Sequence, residues 1–158
     1  MFRKLARIKQ QLDDAECIRI LTEEKRGVLS VLGDDGYPYG MPLNHYYDPA
    51  DGRLYFHSGM TGHKIDAIRR CGKASFCVYD QGFRREGEWA LNIKSVIVFG
   101  RVEIIEDKET IYDMARKLSH KFTRDDAYIE KEITHSGPRT LLFRLVPEHM
   151  TGKLVNES

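Results

Sequence analysis

The chain has almost no net charge: 25 lysines and arginines against 24 aspartates and glutamates leave a formal +1. No bulk field gathers nucleic acid or an anionic membrane, so neither partner is expected. No apolar run approaches the length of a membrane span. The segment Met1-Phe2-Arg3-Lys4-Leu5-Ala6-Arg7-Ile8-Lys9 is basic but lacks the apolar core and cleavage site of a signal peptide. A mildly basic arm docked on the body is expected instead. Cysteine is scarce: Cys17, Cys71 and Cys77 are odd in number and form no CxxC pair. That argues against a disulfide frame and for free thiols in a reducing cytoplasm, each a buried structural residue in an apolar-patterned segment. Repeats and low-complexity linkers are also missing, and 158 residues suit one domain spanning 1–158.

What is present is a series of short apolar runs separated by turns. Asp13-x-x-Glu16 is a capping signature for a helix that turns Cys17, Ile18 and Leu21 inward. Strands are predicted over 27–32, about 39–47, 54–57, 74–79, about 90–105 and 140–146. The turn Asp34-Asp35-Gly36 supplies the positive φ that tight hairpins need. A helix from about Gly62 to Arg70 buries Ile65 and Ile68 and stops at Gly72. The long strand carries Gly100, a natural place for a bulge or bend. A helix capped by Asp107 follows, with Ile111, Met114, Ala115, Leu118 and Phe122 at helical spacing. A shorter one covers 125–132. Consecutive hairpins imply mainly antiparallel pairing. Six or so strands in this length give a mainly β protein: a small closed or nearly closed barrel with peripheral helices.

Catalytic signatures are absent. The histidines at 45, 57, 63, 120, 135 and 149 show no metal-ligand spacing, and no serine has a nucleophile-elbow context. A metal-binding pair of His45 and His57 on neighbouring strands is the one arrangement to test. The pattern suits a protein whose chemistry belongs to a cofactor. Leu54-Tyr55-Phe56-His57-Ser58-Gly59-Met60-Thr61-Gly62-His63-Lys64 runs from an apolar strand through a hydroxyl- and glycine-bearing turn into a helix with a lysine in its first turn. Helix N–H groups, a hydroxyl and a cation can converge there on an anion such as a phosphate. The plain alternative is a strand-turn-helix whose Lys64 points into water. In Met41-Pro42-Leu43-Asn44, the proline cannot donate to a sheet ladder and marks an edge or bulge. Backbone groups left free there could meet a planar heterocycle.

Asp35-Gly36-Tyr37-Pro38-Tyr39, Met41-Pro42-Leu43-Asn44, Tyr55-Phe56-His57-Ser58 and Gly62-His63-Lys64, in this order, resemble the pyridoxamine 5′-phosphate oxidase-like superfamily, and within it the nitroimidazole-resistance branch of small FMN-binding split-barrel proteins. Trp89-Ala90-Leu91-Asn92-Ile93-Lys94-Ser95-Val96-Ile97-Val98-Phe99-Gly100-Arg101 adds the Ser-Val-x-x-x-Gly core of that family. The motifs cover about 26–106. The resemblance implies a split β-barrel homodimer with FMN at the subunit interface. By position, Ser58, His63 and Lys64 would hold its phosphate, with His57 near the ribityl-phosphate end. Met41, Pro42, Leu43 and Asn44 would line the isoalloxazine. Ser95 and Val96 would contact the ring or ribityl chain. The implied activity is that of a cytoplasmic oxidoreductase, passing electrons from a nicotinamide or other donor through FMN to a small aromatic or nitro-type acceptor, with His45 as the candidate proton donor. The alternatives are a non-catalytic FMN- or haem-binding storage or sensor protein, and a split barrel using a deazaflavin. Two departures limit the inference, and the activity of a true pyridoxamine-phosphate oxidase is not expected. Its arginine-rich substrate-phosphate motifs are not recognisable here, and its C-terminal arginine and histidine pattern is replaced by Gly152-Lys153-Leu154-Val155-Asn156-Glu157-Ser158.

Overall fold

A computed structural model describes residues 1–158. Seven strands form one antiparallel sheet: β1 (Arg26–Leu32), β2 (Pro38–Asn44), β3 (Tyr46–Asp48), β4 (Arg53–Gly59), β5 (Lys73–Tyr79), β6 (Asn92–Ile105) and β7 (Thr140–Asn156). Their order is β2-β1-β5-β6-β7-β4-β3. The sheet curls into the expected split barrel. Its inward faces enclose Leu29, Phe56, Phe76, Val98, Phe143 and Leu145, none of which is accessible to solvent. Four helices pack on this frame: α1 (Asp14–Glu23), α2 (His63–Arg70), α3 (Lys108–His120) and α4 (Asp126–Ser136).

The helices serve two sides of the sheet. Cys17, Ile20 and Leu21 of α1, and Ile65, Ala67 and Ile68 of α2, join the barrel core. Ile20 takes the inward place expected of Ile18, which is only half-buried. The Asp13 carboxylate caps α1 by accepting from Glu16 N at 2.8 Å. Glu16 does not complete a reciprocal box; its carboxylate receives Lys94 Nζ from β6 at 2.7 Å and Arg19. Helices α3 and α4 cover the opposite face of β4 and β7, where Tyr55, Ile105, Met114 and Leu142 form a second cluster.

Two strands depart from the sequence reading. The run 39–47 is broken at His45, because its halves serve opposite edges of the sheet: β2 pairs with β1 and β3 with β4. The last strand continues past Pro147 to Asn156. Proline cannot donate to the ladder, and the β6–β7 register shifts between Phe99 and Gly100, beside the Gly100–Pro147 pair. A Cβ on Gly100 would lie 2.1 Å from the Val146 carbonyl oxygen, so only glycine permits this approach. The Asp34–Gly36 turn has the anticipated positive φ, at Asp35 (53°) and Gly36 (78°).

One face of the sheet has no helix over it. Across β2-β1-β5-β6-β7, the register lines up Pro42, Val28, Cys77, Ile97 and Thr151 on the outer side. Leu32, Tyr79 and Phe99 also stand exposed. The N-terminal arm docks at the margin of this face, where Phe2 stacks on His149 with ring centroids 4.9 Å apart. None of the helices is long and apolar enough to cross a membrane.

Candidate functional site

The turn between β4 (Arg53–Gly59) and α2 (His63–Arg70) is Met60-Thr61-Gly62. Gly62 precedes the helix at φ +123°, a conformation costly for any side chain. The first-turn N–H groups of α2 lack intrahelical acceptors, as at any helix start. His63 stacks on Tyr39 of β2 at 4.1 Å between ring centroids, and its Nε2 lies 3.6 Å from Asp34. Tyr39 thereby fixes the helix start against β2. Tyr39 is not among the expected site residues, although its alternation with Met41 and Leu43 signals the inner face. Lys64 is half-buried, and burial alone shifts its pKa downward; no carboxylate stands near enough to offset that. A half-buried ammonium without a counter-charge beside free N–H donors is a cradle for an anion.

Strand β2 occupies one edge of the sheet and pairs only with β1. Backbone groups along its other edge are free for a ligand. Pro42 points outward and is exposed, Met41 lies in the core, and Leu43 and Asn44 are half-buried. Proline cannot join a bonded pair, so the alternation of the ladder ties the Met41 and Leu43 backbone to β1 and turns the Pro42 carbonyl and the Asn44 backbone toward the free edge.

Ser95 and Val96 stand apart from this edge. Val96 has no accessible surface and packs inside the barrel, so within one protomer its side chain is closed to a ligand. Successive strand residues face opposite ways, and Ser95 lies on the uncovered outer face, opposite Tyr79 and Lys153. Strands β1 and β5 separate β6 from β2. At about 4.8 Å per strand, Ser95 lies roughly 14 Å from the β2 edge. One protomer does not bring the two groups together.

The same alternation divides His57 from Ser58. Ser58 continues the inward row of Leu54 and Phe56, while His57 points outward beneath α3 and α4. His57 is an exposed residue; desolvation and then the positive charge of Lys64 lower its imidazole pKa. His57 thus neighbours Lys64 but does not share the face of Ser58.

His45 is neither a metal ligand nor a proton donor to an outer ligand. It is fully buried, and its Nε2 donates to Leu21 O at 2.8 Å. That bond leaves Nδ1 as the bare nitrogen, buried without a partner. Burial, followed by the charge of Lys121, pushes its pKa down to about 3, so the ring is neutral at ordinary pH. Lys121 reaches across to donate to Glu24 O at 2.5 Å and His45 O at 2.9 Å, tying the end of α3 to the end of α1. Nothing in the sequence around Lys121 announced that tie. His45 and His57 therefore form no metal pair, and no cluster of three or more metal-binding side chains exists.

Comparison with known proteins matches residues 13–154 to the family described as pyridoxamine 5′-phosphate oxidase. Among solved structures, a FAD-binding protein from Mesorhizobium loti is 29% identical, with a TM-score of 0.65 over 92% of this chain and 97% of that one. A candidate 5-nitroimidazole antibiotic resistance protein from Bacteroides thetaiotaomicron is 21% identical, with a TM-score of 0.76 over 92% and 87%. A FAD- and haem-binding protein from Mycobacterium smegmatis is 18% identical, with a TM-score of 0.72 over 92% and 73%. No curated protein matches the chain in sequence.

Proposed function

The chain belongs to the pyridoxamine 5′-phosphate oxidase family, and from that premise we propose that it is a flavoprotein that binds FMN. The observation that carries the reading is Lys64: a half-buried cation without a counter-charge at the start of α2. A phosphate of charge about −1.5 to −2 would supply the missing partner and accept from the first-turn N–H groups. Ser58, His63 and Lys64 form the phosphate end of this reading. Met41, Pro42, Leu43 and Asn44 form its ring end, along the free edge of β2. FAD-binding among the structural relatives supports a flavin. The choice of FMN rests on the resemblance of the motifs.

The uncovered sheet face supports a homodimer. Exposed Val28, Leu32, Tyr79 and Phe99 give it the apolar character of a subunit contact. A two-fold partner docked there would bring its own Ser95 toward the β2 edge of the first protomer. The two groups that one chain holds apart would then share one site, and an isologous dimer is the commonest arrangement.

A bound flavin would supply hydride or single-electron chemistry. The protein's share is to hold the phosphate at Lys64, position the ring against the β2 backbone, and exclude water by subunit pairing. Beside the proposed ring position, Asn44 is a carboxamide and His45 is sequestered, so neither is built to donate a proton. The reading is of a cytoplasmic oxidoreductase that passes electrons from a nicotinamide to a small aromatic or nitro-type acceptor. Purified protein loaded with FMN, or separately with FAD, and freed of excess tests it by visible absorption. Retained flavin bands, bleached by NADH or NADPH and restored by a nitroaromatic, are expected. Retained bands that neither nucleotide bleaches would make it a passive flavin binder. Failure to retain either flavin would overturn the reading, and a Soret band on haem addition would replace it.

A further inference from the structure

A well-formed pocket lies away from the β2 edge. It is a hollow of about 180 Å³ between the α3–α4 pair and the outer face of β4 and β7. Of the ten residues assigned to the flavin, only His57 lines it. Ile111, Ala115 and Leu118 of α3 form one wall, and Ile133 and Leu142 close the others. The periodicity of α3 would make this stripe solid core, yet Ile111 and Ala115 are left half-buried. Small residues, Ala115 and Gly137, keep the space open between larger ones.

Its polar groups are few and separate in role. Thr140 is engaged, its hydroxyl donating to Ser136 O at 2.8 Å. Ser119 accepts from Phe122 and Thr123 through its carbonyl, which leaves its hydroxyl for a ligand. The lining imidazole of His57, when neutral, offers one donor and one acceptor. Glu132 stands on the lining without an ion-pair partner and disfavours an anion.

We propose that this hollow is a second small-molecule site, taking one uncharged monocyclic aromatic compound with its ring among Ala115, Leu118 and Ile133 and its polar group on His57. The size supports the class: an apolar cavity of about 150 Å³ holds a benzene ring, so about 180 Å³ takes one ring with a hydroxyl- or carbonyl-sized substituent. Apart from His57, which points away from the face of Ser58, none of its walls belongs to the phosphate turn or the β2 edge.

Phenol is the probe, titrated into the flavin-free full chain and followed by backbone amide NMR. Saturable shifts confined to α3, α4 and the end of β4 are expected. His57→Leu should weaken binding roughly tenfold, the upper worth of one neutral hydrogen bond. Ala115→Phe should abolish binding by filling the hollow while leaving FMN retention unchanged. Should Ala115→Phe lose its fold by circular dichroism, Ser119→Leu fills the same space from the next turn of α3. No saturable shift in the wild-type chain overturns the site, as does phenol binding that a folded filled variant leaves intact. Undiminished binding by His57→Leu overturns the assignment of His57. Loss of FMN retention in the wild-type chain would count against the flavin reading alone.

Discussion

At the scale of single residues, Lys64 and His45 are both held away from their ordinary titration, for opposite ends. Lys64 is destabilised as a cation until an anion arrives. Lys64→Ala is therefore expected to weaken FMN binding by about 1.5–3 kcal/mol, the worth of a hydrogen bond to a charged group. Isothermal titration calorimetry reads it directly, and an unchanged affinity would remove Lys64 from the phosphate site. His45 is instead a buried neutral ring that stabilises the fold by staying uncharged. Its pKa lies near 3 in the folded chain and 6.5 in its ordinary state. Between those values the unfolded chain takes up the proton more readily. Stability from this group is thus complete above pH 6.5 and is lost as pH falls toward 3. At 1.36 kcal/mol per pKa unit the loss approaches about 5 kcal/mol. Urea unfolding from pH 7 to 4 should show that slope in the wild-type chain and a flatter one in His45→Gln, which keeps a donor for Leu21 O but cannot titrate. Equal slopes would assign the acid sensitivity to other groups. The sequence shows an Asn-His-Tyr run at this point and nothing of its burial, because the ring is held by groups distant in sequence, Leu21 and Phe76, with Lys121 on its backbone carbonyl.

At the scale of elements, the sequence was legible wherever a local rule decides the outcome. Asp13, Asp107 and Asp125 each cap a helix by accepting from the N–H three residues on, so those starts fall close to where propensity puts them. Asp107→Ala should cost about 1 kcal/mol in thermal or urea unfolding. Local rules fail where a partner strand decides. The break at His45 follows from β2 and β3 belonging to opposite edges, and the passage of β7 through Pro147 follows from the register shift beside Gly100. Neither appears in a reading of one segment at a time. Gly100 was singled out as a bend, and the structure supplies the reason in the Val146 carbonyl. Backbone cannot yield as a side-chain tip can. Gly100→Ala should accordingly cost about 3 kcal/mol, at the upper end of overpacking penalties. A urea midpoint equal to that of the wild type would mean that β7 relaxes freely at this point. The site was legible in the same measure. The strand-turn-helix that carries Ser58 and Lys64 forms where its pattern put it, whereas the inward turn of Val96 and the outward turn of His57 follow from the two-residue period that sends neighbours to opposite faces.

At the scale of the whole molecule, the barrel leaves one question of surface. The helices bury the ends of the barrel and the outer side of β4, but the row of Val28, Cys77 and Ile97 faces outward with nothing over it. A second copy seated there would cover the row and, by two-fold symmetry, set a partner Ser95 near the β2 edge. Ile97 lies near the middle of that face, between Cys77 on β5 and Thr151 on β7. Ile97→Arg leaves the core untouched, since the side chain points away from it, and places two like charges close together across a two-fold contact. Light scattering after size exclusion should give twice 18.3 kDa for the wild-type chain and 18.3 kDa for the variant. Flavin retention should fall with the dimer, because one protomer keeps the β2 edge and Ser95 roughly 14 Å apart. A variant that stays dimeric would move the interface elsewhere. One that becomes monomeric yet retains FMN fully would show that the phosphate turn and the β2 edge suffice, leaving Ser95 outside the site.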